Sequence, residues 1–337
     1  MRTNMRQGAP APTQAPAPAA RTKRMTLDAV TSGVVKEPRR IFIYGDGGLG
    51  KSTFFADAGN TIFFDTQGGT ENIAGANRFP TPTCWEDLLD ACDELLAKPP
   101  KYSMLAIDLI DDVEQFLWNY ICKRDGKKNI EDYGFFKGQN TISLVEWRVL
   151  LARLERLRRE KRMAIGIAGH AAVCKFKNPE GEDYGKFGPA INEKASGLIR
   201  GWCDTVLYAK LDSFERVNDK TGRARGVSTG DRIMYTVGTA AYYAKNRDGL
   251  PDRMALDWAE YAAAVEAGTP ASPEELRAMI DGLLAQVTDE KLIAGVTASL
   301  AEVGQDPTKL ARVLNRLRER LQPQDNEQAP EANGEAQ

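Results

Sequence analysis

One stretch of the sequence decides the fold: Gly45-Asp46-Gly47-Gly48-Leu49-Gly50-Lys51-Ser52. It fits the pattern GxxxxGK[ST], in which glycines let successive backbone N–H groups face a phosphate. Residues 41–44 before it form a short apolar run typical of a strand, and residues 52–56 after it favour a helix. Strand, glycine loop and helix in this order predict a nucleotide phosphate-binding loop, the P-loop.

The motif also predicts the ligands of a nucleotide and its metal ion. Lys51 is expected to reach the β- and γ-phosphates of ATP, and the Ser52 hydroxyl is expected to bind Mg²⁺. Asp108 ends another apolar run, 104–108, and is the second predicted Mg²⁺ ligand, a Walker B aspartate. The predicted nucleotide-binding residues are Gly45, Asp46, Gly47, Gly48, Leu49, Gly50, Lys51, Ser52 and Thr53.

Apolar runs of strand length alternate with helical stretches through the middle of the chain. The predicted strands are 41–44, 61–65, 104–108, 163–169 and 205–211. Such strands, with helices between most of them, predict a mostly parallel sheet covered on both faces, a three-layer αβα core. Helix-start signals at Ser272-Pro273 and Asp306-Pro307 predict a small C-terminal helical appendage. The predicted domains are a Pro/Ala-rich disordered tail at 1–25, the core at 26–268, the appendage at 269–322 and a disordered acidic tail at 323–337.

Composition narrows the class of protein. No apolar run approaches the ~20 residues that a membrane-spanning helix needs, and no secretion signal is visible, so a cytoplasmic protein is expected. The net charge of −2 gives no argument for nucleic-acid binding, which only local basic patches could support. The single histidine, His170, excludes a histidine-rich zinc site, and the five scattered cysteines are expected to be reduced.

The clearest predicted helix covers residues 144–162. Ser143 and Glu146 match a capping box at its start. One of its faces is rich in arginine, which suits either a nucleic-acid patch or a solvated face with acidic neighbours, and the second interpretation is favoured.

The order and spacing of short motifs over residues 40–258 resemble the RecA-like AAA-type ATPases that many phages encode, including those of single-strand annealing and recombination. Besides the P-loop, the matching pieces are Phe64-Asp65-Thr66-Gln67-Gly68-Gly69, Ala106-Ile107-Asp108, Tyr133-Gly134, Gly169-His170, Ala244-Lys245-Asn246-Arg247 and Gly249-Leu250-Pro251. The resemblance implies a RecA-like P-loop core, ATP and Mg²⁺ as cofactors, ATP hydrolysis, single-stranded DNA as a partner and a homo-oligomer. It further implies single-strand-binding or other replication and recombination proteins as partners, no membrane, and the host cytoplasm for a phage-encoded chain.

The resemblance also implies roles for single residues. In RecA-like proteins a glutamate just past the second strand polarises the attacking water. Gln67 occupies that position here and cannot accept a proton, which predicts slow hydrolysis, with Glu71 as a candidate substitute. His170 matches the polar sensor of the γ-phosphate, and the alternative is a hydrogen-bonded loop histidine. Lys245 and Arg247 resemble the basic pair that enters a neighbouring subunit's ATP site, and the alternative is two exposed charges on a late strand.

Two stretches that interleave basic and aromatic residues are candidates for binding single-stranded DNA, because cations can track phosphates and rings can stack on bases. The stretch after His170 matches the family's central DNA-binding loop. Ordinary surface loops with a few buried aromatics are the alternative. The candidate residues are Lys127, Lys128, Phe136 and Lys137 in the first stretch and Lys175, Phe176, Lys177 and Lys186 in the second.

These features predict an ATP-binding, ATP-hydrolysing protein that binds single-stranded DNA in phage recombination or annealing. One rival is a nucleotide-dependent switch or assembly factor with weak hydrolysis that acts through protein partners. Stimulation of turnover by single-stranded DNA would separate it from the main prediction. A second rival is a helicase or helicase loader, which would show ATP-driven strand separation.

Overall fold

The computed structural model describes residues 25–30, 35–217, 224–268, 273–285, 287 and 289–321. The chain divides into two compact units, Val35–Pro270 and Met1–Val34 with Ala271–Gln337. Apart from Met25, the predicted disordered tails at 1–25 and 323–337 lie outside the described residues. The other predicted domain limits stay predictions.

The elements follow the predicted alternation of strands and helices. The strands are β1 (Arg40–Gly45), β2 (Thr61–Asp65), β3 (Asn77–Arg78), β4 (Met104–Asp108), β5 (Ala164–Gly169), β6 (Ala171–Phe176), β7 (Tyr184–Pro189), β8 (Thr205–Val217), β9 (Ala224–Tyr235) and β10 (Arg253–Ala255). The helices are α1 (Lys51–Ala56), α2 (Trp85–Ala97), α3 (Ile110–Arg124), α4 (Ser143–Glu160), α5 (Glu193–Trp202), α6 (Trp258–Gly268), α7 (Pro273–Leu284), α8 (Glu290–Val303) and α9 (Pro307–Leu321).

Eight of these strands form one sheet in the order β10-β9-β8-β1-β5-β4-β2-β3. The pairs from β8 to β3 are parallel, and the pairs β8–β9 and β9–β10 at one edge are antiparallel. Because β1, β4 and β5 are adjacent and parallel, the loops at their carboxyl ends meet at one edge of the sheet. That edge carries the P-loop, Asp108 and His170.

Two hydrophobic clusters lie on opposite faces of the sheet. Along β1, Phe42 and Tyr44 pack into the cluster formed with α2, α3, α4 and α5. Ile41 and Ile43 point the other way, into the cluster formed with α1 and α6. Helices on both faces of a mostly parallel sheet are the predicted three-layer α/β core, which is confirmed.

The structure corrects one predicted strand and one predicted loop. The fifth predicted strand, 205–211, continues to Val217 and pairs with β9 in a long antiparallel ribbon. The second candidate DNA-binding stretch is not an irregular loop, because β6 and β7 form a separate two-stranded antiparallel hairpin.

The predicted capping box of α4 is wrong. A π-helix at Gly138–Ile142 precedes α4, so the backbone is already helical where the cap was expected. The Ser143 hydroxyl donates instead to the Gln139 carbonyl at 2.5 Å. A sequence that matches a helix-start motif can therefore lie inside a continuous helical run.

The arginines of α4 mostly have acidic partners. Arg158 and Arg159 both pair with Glu155, at 2.7 and 2.6 Å. Arg153 pairs with Asp93 of α2, and Arg156 pairs with Glu160 one turn away. Ion pairing of this kind fits the favoured interpretation, a solvated face rather than a nucleic-acid patch.

The helices α7, α8 and α9 have a small core of their own. Buried side chains of α7 and α9 form it, with partly buried ones from α8 around them: Leu276, Ile280, Leu310, Leu314 and Leu317 are the buried members. Arg277 of α7 donates to the carbonyls of Leu300 and Gly304 at the end of α8, at 3.3 and 2.7 Å. Among the described helices, none combines the length and the apolar character that a membrane span requires.

The contact between β5 and α1 gives a stability prediction. A Cβ on Gly166 would lie 2.7 Å from the Phe55 ring, which is fully buried. We expect Gly166→Ala to lower the free energy of unfolding by about 1–3 kcal/mol, because the core has no room for the methyl group. Urea unfolding measures it, with Gly197→Ala as the control, since a Cβ there meets nothing within 4 Å. A Gly166→Ala variant as stable as the control would mean that Phe55 can move aside.

Candidate functional site

The P-loop has a backbone that only glycine adopts readily. Gly50 has a φ of +94°, and a Cβ on Gly45 would lie 2.2 Å from the Ala209 carbonyl oxygen. Lys51 follows as the first residue of α1, and its Nζ donates to the carbonyls of Gly45 and Asp46 at 3.0 and 2.8 Å. Lys51 is buried, and burial lowers the pKa of its ammonium group. Two carbonyls of the P-loop therefore hold the ammonium group of Lys51.

Ser52 and Asp108 come together from different elements. The Ser52 hydroxyl on α1 donates to Asp108 Oδ2 at the end of β4, at 2.5 Å. Burial raises the pKa of Asp108, and the hydrogen bond from Ser52 opposes this shift. The pair places two hard oxygen ligands side by side.

Both residues line a cavity of about 510 Å³ at the P-loop. Of the predicted site residues it contains Gly47, Gly48, Gly50, Lys51, Ser52, Thr53, Gln67, Asp108 and His170. Three predicted residues do not line it: Gly45 and Asp46 hold Lys51 through their carbonyls, and Leu49 is buried in the core. The structure therefore brings most of the predicted phosphate-binding set into one space.

A buried carboxylate shapes the loop after β2. Asp65 accepts hydrogen bonds from the backbone N–H groups of Gln67, Gly69 and Thr70 and from the Thr70 hydroxyl, at 2.6–3.1 Å. Burial opposes ionisation, but these hydrogen bonds hold the pKa of Asp65 below its ordinary value. Asp65 also lines the cavity and was not predicted as a site residue.

Gln67 enters the cavity, whereas Glu71 does not. The Gln67 side-chain amide donates to Asp112 Oδ2 at 2.8 Å, and the Thr66 hydroxyl donates to the same oxygen at 2.6 Å. Glu71 is exposed, its carboxylate lies against Gly68, and it is not among the residues that line the cavity. The structure thus gives no support to Glu71 as a substitute for the expected glutamate.

His170 faces the P-loop with one ring nitrogen and α3 with the other. Its backbone N–H and Nδ1 lie 3.1 and 2.6 Å from the carboxylate of Asp111. Its Nε2 would be 3.9 Å from a Cβ built on Gly47. Asp111 fixes the ring, and sequence reasoning missed it although it lies three positions after Asp108.

Arg232 is a further residue that the sequence did not reveal. It lies on β9, lines the cavity, and its guanidinium Nη1 would be 3.0 Å from a Cβ on Gly50. No motif surrounds it, and only the antiparallel pairing of β9 with β8 brings it to the P-loop edge. The cavity is therefore lined by two cations, Lys51 from α1 and Arg232 from β9.

This geometry agrees with what comparison with known proteins finds. The family model of the AAA domain matches residues 37–248, which include the P-loop, Asp108 and His170. The chain belongs to the AAA domain family. It is also similar to the crystal structure of the RadB recombinase, with a TM-score of 0.35 and 13% identity over 59% of this chain and 80% of that chain. No curated protein matches the chain.

Lys245 is engaged within its own chain. Its ammonium group donates to three carbonyls at the end of α5, those of Arg200, Gly201 and Cys203. These three contacts match the three donors of the ammonium group. Arg247 lies 3.6 Å from Asp204 with its side chain about half exposed at 56%. Lys245 therefore caps a helix of its own chain, and the insertion of the basic pair into a neighbouring ATP site stays a prediction.

The four predicted DNA-binding residues of the hairpin differ in their contacts and exposure. Lys175 pairs with Asp183 at 3.1 Å, Lys177 is exposed, and Phe176 packs against Tyr184 with ring centroids 5.0 Å apart. Lys186 lies over the ring of Tyr243 at 4.2 Å.

Arg200 lies over the same Tyr243 ring at 3.8 Å. Burial and the charge of Arg200 lower the pKa of Lys186. Two cations on one ring form a positive spot beside the middle of β7, and sequence reasoning found only Lys186.

The first candidate stretch forms a separate surface. Phe135 and Phe136 are 95% and 70% exposed and have positive φ angles of 48° and 55°. Lys128 and Lys137 are exposed, and Lys127 lies over the Tyr133 ring at 5.7 Å. The structure therefore brings exposed rings and cations together here as well.

The position of Lys245 gives a prediction that separates a structural role from a catalytic one. We expect Lys245→Ala to lower the free energy of unfolding by about 1–3 kcal/mol, because three carbonyls at the end of α5 lose their donor. Arg247→Ala is the matched control and should change stability by less than about 0.5 kcal/mol. Thermal or urea unfolding measures both. A Lys245→Ala variant with unchanged stability and lost ATP turnover would restore the intersubunit role.

Proposed function

We propose that this AAA domain protein binds ATP with Mg²⁺, hydrolyses it slowly, and binds single-stranded DNA in phage recombination or annealing. One observation carries the nucleotide part: Lys51, the Ser52–Asp108 pair, His170 and Arg232 converge on a cavity at the P-loop. A convergence of cations, backbone N–H groups and hard oxygen ligands suits a polyphosphate with a divalent cation better than any other ligand class.

The residues present fit both parts of the cofactor. Ser52 and Asp108 would hold Mg²⁺, which would supply neutralisation of charge between the phosphates. Lys51 and Arg232 would bind phosphate oxygens, and His170 would contact the terminal phosphate through Nε2 while Asp111 holds the ring through Nδ1. Lys51, the Ser52–Asp108 pair and His170 already have hydrogen-bond partners that fix their side chains, whereas Arg232 is exposed.

Slow turnover follows from the environment of Gln67. Its amide N–H₂ group is engaged by Asp112, which leaves the amide oxygen to accept a hydrogen bond from water. An amide can orient a water molecule but cannot remove its proton, so general-base catalysis has no strong acceptor at this position.

The experiment measures ATP hydrolysis with and without single-stranded DNA. We expect DNA to stimulate wild-type turnover and Lys51→Ala to reduce turnover to background. Arg232→Ala should weaken nucleotide binding about 10- to 150-fold, the size expected for loss of one hydrogen bond to a charged group. ATP binding without any DNA-stimulated turnover would contradict the ATPase proposal.

Gln67→Glu tests the missing base, but it would place a second carboxylate against Asp112. The double variant Gln67→Glu/Asp112→Asn removes that repulsion and is the sharper test. We expect the double variant to exceed wild-type turnover by about 10-fold or more, a part of the roughly 100- to 10,000-fold that general-base catalysis contributes. If it does not, proton transfer to residue 67 is not what limits the rate.

For the DNA part we infer that the positive spot of Lys186 and Arg200 over Tyr243, with the hairpin β6–β7, contacts the backbone of a single strand. Half-buried cations with fixed positions lose less freedom on binding a phosphate than flexible surface lysines do. The exposed Phe135 and Phe136 would offer stacking platforms on a second surface.

Binding of a labelled oligothymidylate tests this surface. We expect Lys186→Ala/Arg200→Ala to weaken binding about 10-fold and to reduce the slope of log affinity against log salt by about 1.4, or about 0.7 for each lost phosphate contact. The matched control is Arg156→Ala/Arg159→Ala on α4, whose arginines are ion-paired, and it should stay within about 2-fold. Wild-type affinity and salt slope in the hairpin variant would contradict the proposal.

The remaining parts of the proposal are a homo-oligomer, action in the host cytoplasm and contacts with single-strand-binding or recombination proteins. Arg247, whose side chain is about half exposed, is the more accessible of the two basic residues predicted to reach a neighbouring ATP site.

The second candidate function is a nucleotide-dependent switch with protein partners. Gln67 favours it, because weak hydrolysis prolongs the ATP-bound state. Background turnover in the presence of single-stranded DNA would move that candidate ahead.

A further inference from the structure

The appended helices carry a groove that the nucleotide site does not use. It lies between α8 and α9, has a volume of about 380 Å³, and is lined by Lys291, Leu292, Gly295, Val296, Ser299, Val313, Arg316, Leu317 and Arg320. The lining positions extend over about two helical turns of each helix, or roughly 10 Å. A segment of similar length would fill it.

The floor of this groove is apolar. Leu317 is buried in the core of the unit, and Val296, Val313 and Leu292 are partly buried around it. Gly295 and Ser299, which have small side chains, follow on α8 and leave space between the helices. An apolar floor of this kind accepts aliphatic side chains of a partner.

The rim of the groove is basic. Arg316 and Arg320 line it from successive turns of α9, and Lys291 lines it from the start of α8; all three are exposed. No aspartate or glutamate is among the lining residues. Arg312, one turn before Arg316, is also exposed but does not line the groove.

We propose that the α8–α9 groove binds an acidic segment of a partner protein, which places aliphatic side chains on the floor and carboxylates against the rim. Apolar floor and cationic rim are complementary to an amphipathic acidic helix, the mode in which one helical face lies in a groove. The charges steer the encounter and fix the register, and the buried aliphatic groups supply most of the affinity.

Two other occupants fit the groove less well. Single-stranded nucleic acid needs rings for stacking, and residues 271–321 contain no Phe, Tyr or Trp. The chain's own residues 322–337 carry four carboxylates but no Leu, Ile, Val, Met or aromatic side chain, so they have nothing to place on the floor. A partner segment with both features is therefore favoured.

The test is fluorescence anisotropy with the full chain and a labelled acidic peptide of about four helical turns, with leucines at i, i+3 and i+4 and glutamates elsewhere. We expect Arg316→Ser/Arg320→Ser to weaken binding about 5- to 10-fold, and Val296→Ser to weaken it by a similar factor through the floor. The matched control Lys309→Ser/Arg312→Ser changes two exposed cations of α9 outside the groove and should stay within about 2-fold. Circular dichroism and thermal unfolding establish that the variants fold.

Three outcomes would overturn the proposal. A peptide with serines in place of leucines that binds as tightly would mean charge attraction alone. Binding that appears only after removal of residues 322–337 would identify the chain's own tail as the occupant. Loss of oligothymidylate binding, with unchanged peptide binding, in Arg316→Ser/Arg320→Ser would identify a nucleic-acid surface. Because none of these measurements requires ATP, failure here is distinct from failure of the proposed ATPase function.

Discussion

Three carboxylates at the end of β4 and in the first turn of α3 hold the candidate site together. Asp108 holds the P-loop helix, Asp111 holds the base of the hairpin, and Asp112 holds the loop after β2. Acidic residues in the first turn of a helix are favoured by the free N–H groups there, so α3 stabilises the charges that it displays. Three loops that are distant in sequence thus share one rigid support.

The site combines acidic and basic side chains. Asp65 adds a fourth carboxylate, and Lys51 and Arg232 are the cations that line the same cavity. Burial raises the pKa of Asp108 and lowers that of Lys51, so both charged forms are disfavoured where they lie. A polyphosphate alone would add negative charge to this set. A divalent cation bound with it would offset that charge, which is why Asp108 and a nucleotide are expected to bind the metal together.

Local patterns made most of the fold predictable, and distant contacts account for what was missed. The glycine pattern of the P-loop and the apolar run of each central strand each occupy only a few consecutive residues. Both could therefore be recognised in the sequence. Arg232 reaches the cavity only through the pairing of β9 with β8, and Lys245 reaches carbonyls more than forty positions earlier. At Ser143 the sequence predicted a local feature that the structure lacks. The capping motif is present in the sequence, but it lies inside a longer helical run. Side-chain partners that depend on tertiary packing leave no periodic signal.

The same helix that supports the site also fixes both ends of the hairpin. Asp111 binds His170 just before β6, and Glu114, one turn later on α3, accepts the backbone N–H of Asn192 after β7 at 2.9 Å. Between them, the Ala190 N–H donates to the His170 carbonyl and closes the hairpin base. Glu114 is buried, which places this second attachment in an environment where hydrogen bonds are strong and raises the pKa of the carboxyl to about 7. Because α3 begins directly after Asp108, a small displacement of α3 would move the whole hairpin, since packed elements shift as units rather than deform.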